Sequence, residues 1–501
     1  MMDATKECIQ EIKKAIGEEN VSDDKPSRIV HRVCHGIESL LHEDLDIFTP
    51  AAVVRPKTTE DVVKIVNCAS KYEVGLVPQG GRTCTYGAEC VNGAIAINAV
   101  RMDKIVSIDE VAYNITAQAG VRLTDYIRFL NERGFDTVEL PTMIKSSLMG
   151  SRAAISGYNK WETRWGGSKD NIKSMEVVLA NGDVVRVGHG SGGPSKSVVG
   201  LDTMGLFIGS RGSLGIITEM TTRFIPKVPA YHYGIRAFTS LEDGLNAYLE
   251  LRNPLHGSAV WRAKAYHKWM LKQAVTTSSD FVWPEDVEML VDYHVLGDPE
   301  VVAVMTRRVE EICEKCNAFW RDDLPPTEFV GQMHNTMEKF MGMGALQSGR
   351  LVSGGMGNRI VPLDANIPNS HLIEFYKEYL AFLKETEAGK TWPNLAKHYH
   401  VLSPGEPLPT EQGGTKFWAL MLADSKNFDK QSIEEFKGWF REYAELIWKH
   451  EGSLTATHGF IPKDMEVEFT KRELGETGYN LLKTIKKALD PKNIMNPGLR
   501  F

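Results

Sequence analysis

Gly80 and Gly81 are the residues of this 501-residue chain whose type and spacing most directly indicate chemistry. They follow an apolar run, residues 74–77, that predicts a buried strand. Adjacent glycines after a strand let backbone N–H groups turn inward, and such a nest of donors can hold a pyrophosphate. Thr83 and Thr85 could add hydroxyl donors. An ordinary surface turn is the alternative, because Gly-Gly turns are common in loops.

Three more segments accompany this turn along the chain. They lie at residues 49–62, 209–218 and 490–498, and they include the runs Arg-Pro-Lys-Thr-Thr-Glu-Asp, Gly-Ser-Arg-Gly-Ser-Leu-Gly and Asp-Pro-Lys-Asn-Ile-Met-Asn-Pro-Gly. With residues 78–89 they resemble the flavoproteins of the vanillyl-alcohol oxidase and p-cresol methylhydroxylase superfamily. Within it they are most similar to the branch containing D-lactate dehydrogenase and the glycolate oxidase flavin subunit. The resemblance covers roughly residues 48–226 and 450–501.

The resemblance implies an α+β fold, in which a two-part FAD-binding domain of the p-cresol methylhydroxylase type carries an inserted α+β cap domain. The expected parts are a helical N-terminal leader at 1–47, the FAD-binding domain at 48–226, a substrate or cap domain at 227–450, and a C-terminal segment at 451–501 that returns to the FAD-binding domain. Apolar spacing predicts helices over residues 27–41 and 59–72. Asn181-Gly182 between β-rich runs predicts a hairpin.

The resemblance also implies that FAD is the cofactor and indicates which residues lie near it. These are Pro78, Gln79, Gly80, Gly81, Arg82 and Thr83 in the turn, Gly150, Ser151, Ala153, Ala154 and Gly157 in a small-residue segment, and Gly212, Gly215, Ile217 and Asn496 further along. Small side chains let a chain lie close against a flat ring system. A tightly packed core helix would have the same composition.

Two arginines depart from the family pattern. Arg82 stands where the family most often has a third glycine, and Arg211 stands where it usually has Glu. A guanidinium beside a dinucleotide can pair with a phosphate through charge-assisted hydrogen bonds. Both side chains are equally compatible with a position in solvent.

A metal site found in part of this branch is incomplete here. Those relatives carry a Gly-His-x-Gly-Asp-Gly-Asn-x-His stretch and a later Glu-His-Gly, whereas residues 413–420 contain no histidine and Thr457 replaces the Glu before His458. His398 and His400 lie nearby, and a His-x-His on a strand would point both rings the same way. We therefore predict no bound metal, and activity that does not need a divalent ion.

His458 is the leading catalytic candidate, because an imidazole can take a hydroxyl proton near neutral pH. A structural histidine holding the C-terminal loop is the alternative. A carboxylate substrate would also require a guanidinium fork, for which Arg262, Arg350 and Arg359 are candidates, although each is also consistent with a solvated surface charge. Tyr158 follows the small-residue segment and could wall the flavin or contact an aromatic substrate.

Composition narrows the class of protein. A formal net charge of −7 argues against non-specific nucleic-acid binding, and no apolar run is long enough for a membrane span. The N-terminal residues lack the apolar core of a signal peptide, so the expected location is cytoplasmic. Seven scattered cysteines indicate neither a disulfide framework nor an iron–sulfur cluster, and Cys313 and Cys316 fit an ordinary helix.

The sequence thus predicts an FAD-dependent dehydrogenase that oxidises a small-molecule 2-hydroxy acid, such as D-lactate or glycolate, to the 2-oxo acid. Electrons would leave to a protein acceptor, either an electron-transfer flavoprotein or a separate iron–sulfur subunit. Two alternatives stay open. One is an oxidase or dehydrogenase of an aromatic alcohol, favoured by Trp161 and Trp165. The other is a non-catalytic flavin subunit of a larger complex, favoured by loss of the histidine-rich pattern.

Overall fold

A computed structural model describes most of the chain. The described residues are 2–32, 41–42, 44–82, 90–141, 147–157, 159–188, 200–253, 259–269, 284–321, 324, 358–409, 414–424, 428–456 and 460–499. The chain divides into two compact units: unit 1 comprises Met1–Tyr158, Ser168–Pro226 and Ile461–Phe501, and unit 2 comprises Asn159–Gly167 and Lys227–Phe460. The fold is mixed helix and sheet, as predicted. The four-part division expected from the sequence stays a prediction.

Helices and strands follow one another in the order of a mixed fold. The helices are α1 (Met2–Ile16), α2 (Lys25–Val30), α3 (Thr59–Tyr72), α4 (Leu123–Asn131), α5 (Met149–Ile155), α6 (Glu162–Trp165), α7 (Ser168–Asn171), α8 (Leu241–Leu251), α9 (Pro299–Lys315), α10 (Leu372–Glu387), α11 (Pro393–His398), α12 (Lys430–Lys449) and α13 (Glu466–Leu489). The strands are β1 (Val21–Ser22), β2 (Ala52–Val54), β3 (Leu76–Gln79), β4 (Ile95–Asn98), β5 (Ile105–Asp109), β6 (Asn114–Gln118), β7 (Phe135–Thr137), β8 (Ile172–Val178), β9 (Val184–Gly188), β10 (Ile216–Pro226), β11 (Ala230–Phe238), β12 (Val260–His267), β13 (Met289–Gly297), β14 (Asn358–Pro368), β15 (Tyr399–Pro409) and β16 (Gly414–Asp424).

The first sheet of unit 1 has the strand order β1-β2-β4-β3. β2, β3 and β4 are parallel, and β2 and β4 are buried at every position, as expected for parallel strands covered on both faces. Helix α3 follows β2 and buries Val62, Ile65 and Val66. Its first turn is closed by Thr58, whose hydroxyl accepts the Asp61 N–H at 3.2 Å. The predicted helix over 59–72 is confirmed.

The second sheet of unit 1 is antiparallel, in the order β5-β6-β10-β8-β9, with β7 paired to β10. The predicted hairpin is present, because β8 and β9 are joined through Asn181 and Gly182. Gly182 has φ +85°, and a Cβ there would meet the Asn67 side-chain oxygen at 2.2 Å. The positive φ favours glycine here, whereas the Asn67 side chain could move away from a Cβ.

Unit 2 holds two three-stranded antiparallel sheets, β11-β13-β12 and β14-β16-β15. Helices α8 and α9 pack against the first of them, and β15 runs beside its edge strand β12. Aromatic rings connect α10 with α12. The Tyr443 ring stacks on the Trp439 ring with 5.5 Å between the ring centroids, and its centroid is 5.9 Å from that of Tyr379. The Trp439 Nε1–H donates to Thr386 Oγ1 at 2.9 Å, which fixes the two helices against each other.

Two sequence expectations are wrong at the level of elements. The helix expected over 27–41 begins at Lys25, where Asp24 accepts the Ser27 N–H, and ends at Val30; residues 33–40 of the expected range lie outside the described residues. His398 and His400 do not share a strand, because His398 ends α11 and β15 begins at Tyr399. Helix α11 forms there because Glu435 of α12 accepts the N–H groups at its start, a contact distant in sequence.

The described helices do not include one that is both long enough and apolar enough to cross a bilayer. Cys313 lies in α9 and Cys316 caps its end, which confirms the prediction of an ordinary helix. Burial raises the pKa of the Cys313 thiol to about 12, so this sulfur stays protonated and unreactive at neutral pH.

Candidate functional site

A groove in unit 1 brings together three segments that are far apart in sequence. They are the turn after β3, the start of α5 and the loop before β10. Predicted cofactor residues that line the groove are Pro78, Gln79, Gly80, Gly81, Arg82, Gly150, Ser151, Ala154, Gly212, Gly215 and Ile217. Ala153, Gly157 and Asn496 lie outside the lining, and Thr83 lies outside the described residues.

Backbone donors line one wall of the groove. Gly80 and Gly81 directly follow the last residue of β3 and are half-buried. Within the described part of the chain, their N–H groups make no backbone hydrogen bond. Buried or half-buried backbone N–H groups are almost always paired, so donors left over in a groove have the chemistry that a pyrophosphate requires. The residues present therefore fit FAD.

Close approach of the three segments depends on glycine. A Cβ on Gly150 would meet the Ala119 Cβ at 2.6 Å, so α5 can begin directly against the end of β6. A Cβ on Gly212 would meet Pro78 Cγ at 2.1 Å, and φ at Gly212 is +73°. The glycines thus set the width of the groove by letting its walls touch at their edges.

The loop before β10 is tied to the end of α5. Gly209 N–H donates to the Ala153 carbonyl at 2.9 Å, and Arg211 N–H donates to the Ala154 carbonyl at 2.8 Å. The last carbonyls of a helix have no partner in its regular hydrogen-bond ladder, and the Ala153 carbonyl here also accepts the Ser156 N–H at 3.2 Å. Arg211 takes the left-handed conformation, with φ +52°. The two alanines therefore position the groove wall through their backbone.

The C-terminal segment closes the same wall from behind. Leu76 N–H donates to the Ile494 carbonyl at 2.7 Å, and Asn496 N–H donates to the Leu76 carbonyl at 2.8 Å, which adds this segment to the edge of β3. The Asn496 side chain donates to the Arg211 carbonyl at 2.8 Å. Asn496 thus joins β3 to the loop that lines the groove.

Lys486 of α13 fastens this arrangement. Its ammonium is 2.6 Å from Asp490 Oδ2 and donates to the carbonyls of Ser213 at 2.8 Å and Met495 at 2.6 Å. Asp490 also accepts the Met495 N–H at 2.8 Å. Burial lowers the pKa of Lys486 from its usual 10.5, although the Asp490 carboxylate opposes that shift.

A buried ion pair beneath α5 is the main feature that sequence reasoning missed. Arg152 lies 3.0 Å from Glu139 Oε2, with side-chain exposures of 5% and 1%. Ser168 Oγ donates to the same carboxylate at 3.2 Å, and Arg152 also donates to the Gly157 carbonyl at 3.2 Å. An arginine within a run of small residues gives no signal of a distant carboxylate partner. The Gly157 carbonyl therefore helps to hold the Arg152 side chain in place.

Arg82 and His31 meet next to the glycine turn. Arg82 has φ +53°, in the left-handed region that favours glycine, and its guanidinium donates to the Val30 carbonyl. The His31 ring contacts the Ser27 carbonyl at 2.8 Å through Nδ1 and the Asn98 amide at 3.3 Å through Nε2. These contacts fit a neutral ring with the proton on Nδ1. Burial lowers the pKa of His31 from 6.5.

In unit 2, one face of the β11-β13-β12 sheet is polar yet buried. Arg262 and Lys264 of β12 point to this face with exposures of 3% and 5%, and their neighbours on β13 are His294 and Asp292. The Arg262 guanidinium lies 3.4 Å from Asp292 Oδ2 and donates to the Tyr266 hydroxyl at 3.1 Å. Of the three predicted substrate arginines, Arg262 thus lies in a buried polar cluster.

Tryptophans border this polar face. Trp261 is the extra residue of a bulge in β12, and it contacts Trp161 at 5.7 Å and Trp165 at 5.5 Å, both edge to face. Trp161 also contacts the His294 ring at 5.7 Å. Tyr233 of β11 packs against that ring at 4.9 Å, and burial raises the pKa of its hydroxyl.

The remaining predicted site residues are not placed. His458, Tyr158 and Arg350 lie outside the described residues, and Arg359 belongs to β14 with its side chain outside them. The chain before His458 is anchored, because Ser453 and Asn366 of β14 exchange backbone hydrogen bonds of 2.9 Å.

Comparisons with known proteins agree with this architecture. Residues 50–188 match the family described as "FAD binding domain", and residues 238–499 match "FAD linked oxidases, C-terminal domain". The chain is 25% identical to glycolate oxidase subunit GlcD of Bacillus subtilis (strain 168), over 99% of this chain and 97% of that protein. It is also 25% identical to a mitochondrial D-lactate dehydrogenase (cytochrome) of Arabidopsis thaliana, over 98% of this chain and 80% of that protein.

Among solved structures, p-cresol methylhydroxylase with substrate bound has the same fold. The TM-score is 0.74 at 18% identity, with 99% of this chain and 97% of that chain covered. This likeness confirms the predicted p-cresol methylhydroxylase-type fold, and the two family matches confirm FAD as the cofactor. The protein therefore belongs to the FAD-linked oxidases and is an FAD-linked oxidoreductase.

Proposed function

We propose that this protein is an FAD-dependent dehydrogenase that oxidises a 2-hydroxy acid to the 2-oxo acid. The observation that carries the proposal is the buried polar sheet face of unit 2, where Arg262 and Lys264 lie side by side. The names of two relatives, a glycolate oxidase subunit and a D-lactate dehydrogenase, support the same substrate class. D-lactate and glycolate are therefore the first substrates to test.

The groove of unit 1 is the proposed cofactor site. The N–H groups of Gly80 and Gly81 would bind the pyrophosphate, and the small residues of α5 would lie along the flavin ring. Gly212 and Gly215 would approach the adenosine part. Ala153, Gly157 and Asn496 would act through the hydrogen bonds that hold the groove walls. When bound, FAD supplies the two-electron redox chemistry and accepts the hydride from the substrate carbon.

Arg262 is the proposed carboxylate-binding residue. A guanidinium presents its donors in a planar fork that matches a carboxylate, and the interaction is strongest where water is excluded. Tyr266 donates its hydroxyl proton to Asp292 Oδ2 at 2.9 Å and accepts from Arg262, which orients the guanidinium. Lys264 adds a second buried cation to the same face. The pair would anchor one end of the substrate.

His458 is the proposed general base. It would take the hydroxyl proton while the hydride of the substrate carbon passes to the bound flavin, so that the 2-oxo acid, a protonated imidazole and reduced FAD would result. This role is supported by the resemblance, in which an active-site histidine is retained at this position. Leu454 and Phe460, on either side of the segment 457–459, are both buried, which would hold its ends in place.

The proposed electron acceptor is another protein, either an electron-transfer flavoprotein or an iron–sulfur subunit. The seven cysteines of the sequence include a single Cys-x-x-Cys pair, at 313 and 316, and that pair lies at the end of an ordinary helix. An iron–sulfur cluster requires a set of thiolate ligands, and the spacing of the cysteines in the sequence does not form a cluster-binding pattern.

Anaerobic titration of the purified flavoprotein tests the proposal. D-lactate, glycolate, longer 2-hydroxy acids and aromatic alcohols such as vanillyl alcohol are added singly, and bleaching of the flavin absorbance is followed. We expect bleaching by at least one 2-hydroxy acid. A panel in which no 2-hydroxy acid reduces the flavin would refute the substrate class.

The second candidate is oxidation of an aromatic alcohol. The observation that favours it is the cluster of Trp161, Trp165 and Trp261, which could wall an aromatic ring. Reduction by vanillyl alcohol, without reduction by any 2-hydroxy acid, would select this reading. A flavin that no compound in the panel reduces would favour a non-catalytic flavin subunit.

A further inference from the structure

A cluster of metal-ligating side chains lies where α10 begins and α12 ends, within unit 2. His371 is the residue before α10, Glu374 lies in the first turn of α10, and His450 follows the last residue of α12. One nitrogen or oxygen of each residue lies within 4.8 Å of those of the other two. Nothing in the reaction proposed above uses these residues.

His450 is the anchor of the cluster. Its side chain is 3% exposed, and its ring packs edge to face on Phe375 at 5.6 Å. Its Nε2 lies 3.3 Å from Glu378 Oε2, without the alignment of a hydrogen bond, and it has no other hydrogen-bond partner in the described part of the chain. A buried ring nitrogen in this state is costly unless something satisfies it.

Carboxylates surround the two imidazoles. Glu378 accepts hydrogen bonds from the Lys449 ammonium at 2.7 Å through both of its carboxylate oxygens. Glu451 lies 3.8 Å from the His371 Nε2. The cluster therefore combines two imidazoles with the carboxylates of Glu374, Glu378 and Glu451. This arrangement favours a divalent cation over an anion.

The ligand set favours zinc. Two imidazoles and one carboxylate are a usual zinc donor set, whereas calcium and magnesium prefer oxygen ligands alone. Tetrahedral bonds of about 2.0–2.1 Å place ligand atoms about 3.3 Å apart. The spacing here exceeds that by no more than about 1.5 Å, a distance that the exposed Glu374 and the one-third exposed His371 can cover by rotating side chains.

We propose that His371, Glu374 and His450 form a zinc-class divalent cation site that joins the start of α10 to the end of α12. The fourth position would be filled by water or by a carboxylate of Glu378 or Glu451. This proposal departs from the expectation of no bound metal, which rested on other histidines, because His398, His400 and His458 are not part of the site. The site also does not depend on the proposed reaction. Its expected role is to stabilise the fold, because an ion that binds only the folded state raises stability.

The test uses the FAD-loaded full chain, stripped with a chelator and titrated with zinc chloride. We expect one equivalent of zinc to remain after desalting, and the melting temperature to rise with zinc concentration. His371→Ala and Glu374→Gln each remove an exposed or half-exposed ligand, so folding is retained. Each should weaken zinc binding by more than the roughly 10–100-fold that loss of an outer partner costs. His450→Ala can be added, although its buried position makes it less decisive.

Glu385→Gln is the matched control, because Glu385 is an exposed glutamate on the same helix, away from the cluster. It should bind zinc as the wild type does. Three results would overturn the proposal. The wild type could retain no zinc, or His371→Ala and Glu374→Gln could both bind zinc as tightly as the wild type. Zinc binding could also be lost only when His398 or His458 is replaced. Because the readouts are metal content and melting temperature, failure of the proposed reaction does not affect them.

Discussion

At the scale of single residues, His458 carries the proton-transfer prediction. A general base contributes about 10²–10⁴-fold in rate, so His458→Gln should slow anaerobic flavin reduction by that order. Flavin content and melting temperature should change little. Stopped-flow reduction and a melting curve on one preparation separate a general base from a structural histidine. If the histidine is structural, the variant loses stability, and its folded protein keeps the wild-type reduction rate.

Gly81 carries the prediction for the cofactor site. Gly81→Val places a branched side chain on the wall of the groove, beside the backbone N–H groups proposed to bind the pyrophosphate, so the purified variant should lose FAD. The ratio of flavin absorbance to protein absorbance measures this. Gly205→Val is the control, because Gly205 has open space around it and does not line the groove. Full flavin occupancy in Gly81→Val would show that the pyrophosphate does not bind at this turn.

His31 predicts a dependence of stability on pH. Burial lowers its pKa in the folded protein, so between that lowered value and 6.5 the unfolded chain binds a proton that the folded chain does not. The contribution is therefore complete above about pH 6.5 and is lost as the pH falls below it. Melting temperatures measured from about pH 5 to 7.5 should fall more steeply on the acid side for the wild type than for His31→Gln. Parallel curves would contradict this.

The sequence predicts residues of this site where backbone chemistry leaves a pattern, and misses them where contacts are long-range. Adjacent glycines after an apolar run indicated the turn at 80–81 directly. Arg152 gave no such signal, because its partner Glu139 reaches it only after folding. Likewise, nothing local indicates that Asn496 bonds to the carbonyl of Arg211.

At the scale of elements, helix α5 depends on the ion pair beneath it. Glu139→Gln leaves the Arg152 guanidinium buried without its counter-charge, and breaking such a pair costs about 3–5 kcal/mol. We expect a loss of this size in urea unfolding, together with weaker flavin retention.

The control for that prediction is Asp125→Asn, which removes the partner of Arg128 in an ion pair whose side chains are 48% and 68% exposed. Exposed pairs contribute about 0–1 kcal/mol. Equal losses in the two variants would show that the buried pair does not support α5.

Elements with strong local signals were predicted well. Helix α3 combines apolar spacing with a threonine cap, and the β8–β9 hairpin has the Asn-Gly turn that its geometry requires. Helix α11 was missed because its N-terminal cap, Glu435, comes from another helix. The polar pattern on β12 becomes informative only when pairing with β13 places Arg262 near Asp292.

At the scale of the whole molecule, the chain forms two units that each contribute one part of the proposed chemistry. Unit 1 contains the groove for the cofactor, and unit 2 contains the buried polar face. The assignment of Asn159–Gly167 to unit 2 could not be predicted, because it depends on ring contacts between Trp161, Trp165 and the distant Trp261.

We propose that this enzyme recognises a 2-hydroxy acid by binding the substrate carboxylate with the Arg262 guanidinium. The measurement is the rate of anaerobic flavin reduction by a 2-hydroxy acid and by its neutral amide. Hydrogen bonds to charged groups contribute about 1.5–3 kcal/mol, so the wild type should favour the acid by about 10–150-fold.

Three proteins are compared: the wild type, Asp292→Asn, and Arg262→Gln combined with Asp292→Asn. Arg262→Gln is combined with Asp292→Asn because Asp292 is fully buried and would otherwise lose its ion-pair partner. Asp292→Asn alone keeps the guanidinium and should keep the preference for the acid, whereas the double variant should reduce acid and amide at nearly equal rates. Two results would contradict binding of the substrate carboxylate by Arg262. One is a wild type that does not distinguish acid from amide, and the other is a double variant that distinguishes them as the wild type does.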